Sequence, residues 1–171
     1  MASAPPPSRR EWYAPDPADA SGGDPALSTI RFECTQCGAC CTGPEGYVGV
    51  TDEEVAAIAR LRNMPVADFR AKYTRMTDDG RSLTEVRTVH GFDCVFLDRD
   101  SIPGKAVCTI YQARPLQCRT FPWWPGVIKS SASWQRLGRE CEGVGRGGFV
   151  PVEEIRINRD LQAKSDGGVS R

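Results

Sequence analysis

Eight cysteines are the residues of this 171-residue chain whose type and spacing could do chemistry. Half of them fall in one short stretch, FECTQCGACC, and the others are spread over the second half of the chain. The eight are Cys34, Cys37, Cys40, Cys41, Cys94, Cys108, Cys118 and Cys141. Thiolates are soft ligands that select zinc, copper(I) or iron-sulfur centres and disfavour magnesium and calcium. The sequence therefore predicts metal binding through sulfur.

The spacing inside the cysteine-rich stretch suggests how its thiols are divided. Cys34-x-x-Cys37 suits a tight knuckle that points two thiolates at one ion, and Cys37-x-x-Cys40 repeats that spacing. Gly38 can adopt backbone conformations that a residue with a side chain would resist. Cys40 and Cys41 are neighbours whose side chains usually diverge, which favours two different ions or two ends of one cluster. We expect this segment to feed two sites, each completed by distant cysteines.

The thiol set leaves the metal open between zinc and iron. Two tetrahedral sites of four cysteines each are a usual arrangement for structural zinc. The Cys-x-x-Cys-x-x-Cys run with a remote cysteine is also close to a ferredoxin ligand run, so an iron-sulfur cluster is an alternative. His90 is the one histidine, and we interpret it as a surface or core residue because eight thiols need no further ligand. Arg114 and Arg119 flank Cys118, where they either offset thiolate charge or lie solvated at the surface.

Composition and charge indicate the compartment and exclude some partners. The 22 basic and 22 acidic side chains balance, so no long-range field would attract nucleic acid or an acidic membrane. The sequence shows neither a signal-peptide core nor a run of about 18 apolar residues, and we expect a cytoplasmic protein. Disulfides seldom persist in a reducing compartment, which again favours metal. A metal ion is the one partner predicted, and any protein partner is unknown.

Three helices are predicted to pack around the cysteines. Thr51 and Glu54 form a capping box ahead of an apolar pattern, which predicts a helix over about 52–62. Pro65 suits the start of a second helix with Val66, Phe69 and Tyr73 on one face. A last helix is predicted from Pro151, with Val152, Ile155 and Leu161 facing inwards.

Short strands are predicted between the second and third helices. Residues 82–89 are rich in Thr and Val, and the stretches CVFL at 94–97 and AVCTI at 106–110 resemble a strand pair. The turn formers between these two stretches predict a β-hairpin that brings Cys94 towards Cys108. Prolines after Tyr111 predict a short helical turn and then an extended loop, in which Phe121, Trp123 and Trp124 cover the site or fill the core. The glycine-rich stretch at 143–148 is interpreted as a flexible loop.

These patterns predict one small, loop-rich α+β domain stapled by metal, with a short hairpin and about three helices. Residues 1–28 are rich in proline and polar residues and are predicted to be a disordered tail. Residues 29–163 then form the cysteine-cluster domain, and residues 164–171 form a flexible C-terminal tail. No Ser-His-Asp constellation or carboxylate pair predicts catalysis, so whether the chain is an enzyme stays open.

The constellation resembles the YkgJ family of CxxCxxCC cysteine-cluster proteins, described as a zinc- or iron-chelating domain. The resemblance covers roughly residues 30–160. It runs through Phe32, the four clustered cysteines with Gly38, Cys94 with Phe96 and Leu97, Cys108 with Ile110 and Tyr111, Arg114-Pro115, Cys118-Arg119, Phe121-Pro122, and Cys141 with Gly143 and Gly145. It implies that all eight cysteines belong to the metal-binding set. A subset of the family resembles flagellin lysine N-methylases, which implies an iron-sulfur-dependent methylase as the alternative function, although this chain shows no motif for S-adenosylmethionine.

Overall fold

The computed structural model describes residues 10–16, 24 and 26–168. Within these residues the strands are β1 (Leu27–Phe32), β2 (Thr42–Gly43), β3 (Thr74–Thr77), β4 (Gly80–Leu83), β5 (Glu85–Thr88), β6 (Gly91–Cys94), β7 (Leu97–Asp98), β8 (Val107–Cys108) and β9 (Val144–Pro151). The helices are α1 (Asp52–Leu61), α2 (Val66–Tyr73), α3 (Leu116–Thr120), α4 (Pro125–Ile128), α5 (Ser131–Leu137) and α6 (Val152–Gly168), and 3-10 turns cover Ala39–Cys41 and Tyr111–Ala113.

Short antiparallel strands and helices mix along the chain, which confirms the predicted α+β class. The strands form four small sheets in the described part of the chain: β1 with β9, β2-β6-β5, β3 with β4, and β7 with β8. Two clusters of buried apolar side chains lie under them, one beneath β1, β9 and α6 and the other beneath α1 and α2. No helix among the described residues has the length and apolar character needed to cross a membrane.

Helices α1 and α2 form as predicted and cover the central cysteines. The Thr51 hydroxyl accepts a hydrogen bond from the Glu54 backbone N–H, and the Glu54 carboxylate accepts one from the Thr51 N–H, which completes the capping box. Pro65 is the residue that caps α2 rather than its first helical residue. Phe69 of α2 stacks on Phe96 with ring centroids 5.8 Å apart. Cys94 and Cys108 pack, partly buried, against the cluster that contains these rings.

The predicted hairpin exists but is shorter than expected. Strands β7 and β8 pair over two residues each, with Leu97 opposite Cys108. Cys94 belongs instead to β6, where it pairs with Glu85 in a different sheet. The predicted strand over 82–89 is divided into the end of β4 and the whole of β5, which join different partners.

Helix α6 begins after Pro151, as predicted, and buries Val152 and Ile155. Leu161 faces outwards with 43% of its surface exposed, whereas Gln162 takes the inward position. The Thr120 hydroxyl donates a hydrogen bond of 2.8 Å to the Gln162 side-chain oxygen, so a buried polar pair replaces the expected apolar contact. Residues 164–168 of the predicted C-terminal tail continue this helix, and residues 169–171 lie outside the described part.

The glycine-rich stretch is not the loop that the sequence suggested, because most of it lies in β9. Phe32 pairs with Val144, and the Glu33 N–H donates a hydrogen bond of 3.1 Å to the Gly143 carbonyl. A Cβ on Gly143 would lie 2.5 Å from the Glu33 carbonyl oxygen. Glycine is therefore required here for close approach of two backbones, a role that composition alone does not separate from flexibility.

Replacing Gly143 with alanine is expected to destabilise the fold by more than about 1 kcal/mol, because the added methyl group would force β1 and β9 apart. Gly126 offers a matched control, since its Cβ position has no heavy atom within 4 Å. Urea unfolding should show Gly143→Ala well below the wild type and Gly126→Ala close to it. Equal stability of the two variants would contradict the close approach.

Residues 10–16 pack against the first core cluster, although they lie in the segment predicted to be a disordered tail. Tyr13 is 2% exposed and belongs to the cluster with Ile30 and Trp134. The Trp12 indole N–H donates a hydrogen bond of 2.7 Å to the Ile128 carbonyl. Residues 1–9, 17–23 and 25 lie outside the described part. The domain limits at 29 and 163 stay a prediction.

Glu11 ties this segment to α6. Its carboxylate accepts hydrogen bonds from Arg156 at 2.8 Å, from the Tyr13 hydroxyl at 2.8 Å and, at very short range, from Arg159. Burial raises the pKa of Glu11, but the hydrogen bonds from Arg156, Tyr13 and Arg159 outweigh it and hold the net pKa below the ordinary 4.5.

The Glu11 contacts predict an acid-dependent contribution to stability. A carboxyl whose pKa is lowered by folding stabilises the protein fully above its unfolded pKa, and this is lost as pH falls through the folded pKa. We expect Glu11→Gln to cost about 1 kcal/mol at pH 7 and progressively less below pH 4.5. Urea unfolding of both proteins at each pH measures this difference, and the comparison cancels acid effects that they share. A difference that does not change with pH would contradict the role of the Glu11 charge.

Candidate metal centre

The cysteine-rich stretch leaves β1 and turns sharply before β2. Gln36 and Gly38 both adopt left-handed backbone conformations, with φ values of 60° and 79°, and the 3-10 turn then carries Cys40 and Cys41. A Cβ on Gly38 would lie 2.6 Å from the Cβ of Ala106, so only glycine fits. The Ala106 N–H donates a hydrogen bond of 2.7 Å to the Gln36 carbonyl. The loop that follows β7 therefore holds the knuckle in place.

The ladder between β1 and β9 brings Cys141 to the start of the knuckle. The two strands run antiparallel, and the hydrogen bond from the Glu33 N–H to the Gly143 carbonyl continues their pairing beyond Phe32. Cys34 follows Glu33, and Cys141 lies two residues before Gly143 on the opposite strand segment. Cys141 is buried. Burial raises the pKa of Cys141 to about 11, and the charge of Cys37 adds to this effect. Cys141 thus faces the first half of the cysteine-rich stretch.

The ladder between β2 and β6 brings Cys41 to Cys94. Thr42 pairs with Asp93. Because the strands are antiparallel, the residue before Thr42, Cys41, lies opposite the residue after Asp93, Cys94. The Asp93 carboxylate accepts a hydrogen bond from the Thr42 hydroxyl at very short range and one of 2.8 Å from Arg99. These polar contacts, in a largely buried position, fix the register that sets the two thiols side by side.

Cys108 and Cys118 complete the same side of the centre. Burial raises the pKa of Cys94 to about 11, and the charge of Cys108 contributes to the increase. Burial and then the charges of Cys94, Cys40 and Cys108 raise the pKa of Cys118 well above its usual range. Cys118 lies on α3. The side chain of the neighbouring Gln117 accepts a hydrogen bond from the Gly49 N–H and donates one to the Tyr47 carbonyl, in the segment between β2 and α1. Cys41, Cys94, Cys108 and Cys118 therefore share one partly buried region.

Cys40 and Cys41 lie where the two groups of thiols meet. Their sulfur atoms are 3.5 Å apart. A hydrogen bond from the Cys41 thiol lowers the pKa of Cys40 to about 7, and the same contact raises the pKa of Cys41. The charge of Cys40 also raises the pKa values of the four remote cysteines, Cys94, Cys108, Cys118 and Cys141.

Two arginines supply positive charge to the centre. Arg114 lies over the Tyr111 ring at 3.6 Å, and its charge partly offsets the burial that raises the pKa of Cys108 and Cys118. Arg99 was missed by the sequence analysis because a turn-rich loop suggested solvated charges. Its hydrogen bonds to Asp93, followed by the charges of Cys41 and Cys37, raise its pKa. Arg119 is 56% exposed and lies 4.0 Å from Glu54, which favours the solvated interpretation for this residue.

The remaining predicted residues lie outside the thiol group. His90 is exposed, so of the two predicted positions, surface or core, it takes the surface one. Trp123 is buried and stacks on Trp134 with ring centroids 5.6 Å apart, so it fills the core. Phe121 is half-buried and makes an edge contact with Phe32 at 6.2 Å.

All eight thiols are free of disulfides, and in the described residues no three His, Cys, Asp or Glu side chains converge closely enough to hold a metal ion. Metal binding would therefore have to draw the thiols closer together. The donor chemistry fits zinc or iron, because the candidate ligand atoms are sulfur atoms. The Thr35 hydroxyl between Cys34 and Cys37 is buried and has no hydrogen-bond partner among the described residues. Such a hydroxyl is a suitable donor to a metal-bound thiolate.

The ladders, the knuckle and the thiol set define a cysteine-cluster domain. The chain belongs to the CxxCxxCC family, "Putative zinc- or iron-chelating domain", whose model matches residues 33–142. An uncharacterised protein of Methanocaldococcus jannaschii is 33% identical over 100 residues, which are 58% of this chain and 49% of that protein. The chain thus spans about half the length of this relative. No solved structure matches the present chain. The family description supports a metal-binding role for the chain.

Proposed function

We propose that the protein is a cytoplasmic metal-binding protein that holds zinc or iron through its eight cysteines, divided into two sites of four. The observation that carries this proposal is the pair of antiparallel ladders at either end of the cysteine-rich stretch. One ladder sets Cys141 against the segment that begins with Cys34, and the other sets Cys94 beside Cys41. The two ends of the cysteine-rich stretch thus lie against different remote cysteines.

The first site would use the three thiols spaced as Cys-x-x-Cys-x-x-Cys together with the cysteine before β9. Its ligands are Cys34, Cys37, Cys40 and Cys141. The second site would use the last thiol of the 3-10 turn and three thiols from separate elements. Its ligands are Cys41, Cys94, Cys108 and Cys118. Each set has the four ligands of a closed tetrahedral site.

Electrostatics supports a cation in each set. Ligand cysteines must be deprotonated, but burial and mutual charge raise the pKa values of Cys94, Cys108, Cys118 and Cys141. A metal ion would supply the positive charge that these thiolates lack. Because the ligands come from segments far apart in sequence, binding would also contribute to folding.

Metal analysis of protein purified without oxygen and without added metal tests the proposal. About two colourless zinc ions per chain would support two structural sites. Brown protein with iron and labile sulfide would indicate the iron-sulfur form of the centre, and electron and methyl transfer would be the next activities to assay. Protein that contains neither zinc nor iron, and takes up neither on addition, would contradict it.

Paired substitutions test the division of the thiols. Cys118→Ser and Cys141→Ser should each lose one metal equivalent. The double variant Cys41→Ser/Cys118→Ser should still lose only one, whereas Cys118→Ser/Cys141→Ser should lose both. His90→Gln is the control and should retain both. Loss of both equivalents from the Cys41→Ser/Cys118→Ser variant would contradict the assignment.

A further inference from the structure

A pocket of about 380 Å³ opens beside Cys34, on the side of the domain where α3, β9 and α6 meet. Its wall includes Arg114 and Arg119 on one side and the aromatic rings of Tyr111, Phe121 and Phe149 on the others. This volume falls in the range of small-molecule sites, which combine apolar walls with a few polar groups. The proposed metal sites make no use of the pocket beyond the exposed thiol of Cys34.

The two arginines leave most of their donors available to a ligand. Arg114 is held in place by stacking on Tyr111, and its Nε donates a hydrogen bond of 3.1 Å to the Tyr111 carbonyl. Its two terminal nitrogens make no hydrogen bond to another described residue. Arg119 makes none either, and its nearest carboxylate, that of Glu54, lies at 4.0 Å. An arginine whose planar group is fixed with its outer edge open is suited to bidentate binding of an oxyanion.

The charge balance of the pocket also favours an anion. Glu154 is the one carboxylate in the wall, against two guanidinium groups. Tyr111 and Phe149 are each exposed to about half of their surface. One face of each ring carries a guanidinium group, that of Arg114 on Tyr111 and that of Arg31 on Phe149. A ligand that combines an oxyanion with a flat apolar part would pair with the arginines and cover these rings at the same time.

We propose that this pocket binds a small organic anion, a carboxylate or phosphate ester with an aromatic or other flat apolar part. The arginines hold its oxyanion, and Tyr111, Phe121 and Phe149 contact its apolar part. The bound molecule lies next to Cys34 and therefore next to the first metal site. The inference goes beyond metal binding and depends on the pocket alone.

Calorimetric titration of the full chain tests the pocket, with phenyl phosphate, benzoate and inorganic phosphate as probes and with metal content measured in each sample. We expect saturable binding of phenyl phosphate or benzoate with a Kd below about 1 mM, and the tighter of the two identifies the oxyanion. Arg119→Gln and Arg114→Gln should weaken that binding on the order of tenfold. Arg87→Gln removes an equal charge from an exposed position outside the pocket and should leave it unchanged.

The outcomes separate the pocket from the metal sites. Binding that is lost in Arg119→Gln while its metal content stays at the wild-type level supports the pocket, whatever the metal proves to be. No saturable binding by metal-loaded protein overturns the pocket and leaves the metal proposal standing. Inorganic phosphate that binds as tightly as both aromatic probes, or an equal loss in Arg87→Gln, also overturns it, since either result indicates an adventitious ion only.

Discussion

Removing the metal is expected to lower the midpoint of thermal unfolding by at least about 10 °C and to abolish the cooperative transition of the cysteine region. The physical reason is the shortness of the elements that carry or flank the ligands. Strands β2, β7 and β8 contain two residues each, and the knuckle between β1 and the 3-10 turn is irregular. Hydrogen bonds in such short elements contribute little to stability without a cross-link. Coordination of the metal by the cysteines should therefore provide much of the order of this region.

Chelation of the purified protein under reducing conditions, followed by circular dichroism and tryptophan fluorescence, measures this effect. Re-addition of zinc or iron is the control and should restore the transition. Three of the four tryptophans, Trp12, Trp123 and Trp134, lie in or against the first core cluster. The tryptophan fluorescence should therefore change less on chelation than the circular dichroism. Apo protein with the same midpoint and the same cooperativity as the metal-loaded form would contradict a structural role for the metal.

Local signals in the sequence predicted α1, α2 and α6 well, but they missed α4 and α5 and predicted the sheets poorly. The capping box of α1 and the proline before α6 are encoded within a few residues, so the pattern specifies them directly. Strand β9 pairs with β1, which lies more than 100 residues earlier, and Gly143 and Gly147 leave room for Glu33 at the end of that partner. A pairing at such a distance leaves no periodicity that one segment could show alone.

The same distinction applies to the metal centre. The types and spacing of the cysteines predicted a thiol site, because soft ligands in Cys-x-x-Cys pairs have few other uses in a reducing compartment. The adjacent Cys40 and Cys41 also predicted two sites. The proposed choice of remote cysteines for each site rests on the register of two ladders, Thr42 with Asp93 and Phe32 with Val144, which the sequence does not reveal. Arg99 reaches the thiols only because its loop folds back over the knuckle.

The largest difference between expectation and structure lies at Tyr13, and it leads to the second strong prediction. A proline-rich composition predicted a disordered tail, yet Tyr13 is buried, and its carbonyl accepts a hydrogen bond of 2.8 Å from the Thr29 N–H. Composition averages over a segment, whereas two adjacent aromatic residues are enough to anchor one. Tyr13→Ala is expected to destabilise the protein by about 3–5 kcal/mol, the usual cost of truncating a buried aromatic side chain.

Urea unfolding of Tyr13→Ala and Tyr13→Phe separates packing from the hydroxyl contacts. Tyr13→Phe keeps the ring and loses the hydrogen bonds with Glu11 and Arg159, so it should cost only about 1 kcal/mol. Both variants should retain the metal content of the wild type, because Tyr13 belongs to the core cluster that contains none of the cysteines. If Tyr13→Ala were as stable as the wild type, residues 10–16 would contribute nothing to the core and the predicted tail would extend through them. A large loss for Tyr13→Ala with metal retained would instead show that the fold has two sources of stability, an aromatic core that includes this segment and a thiol centre that does not depend on it.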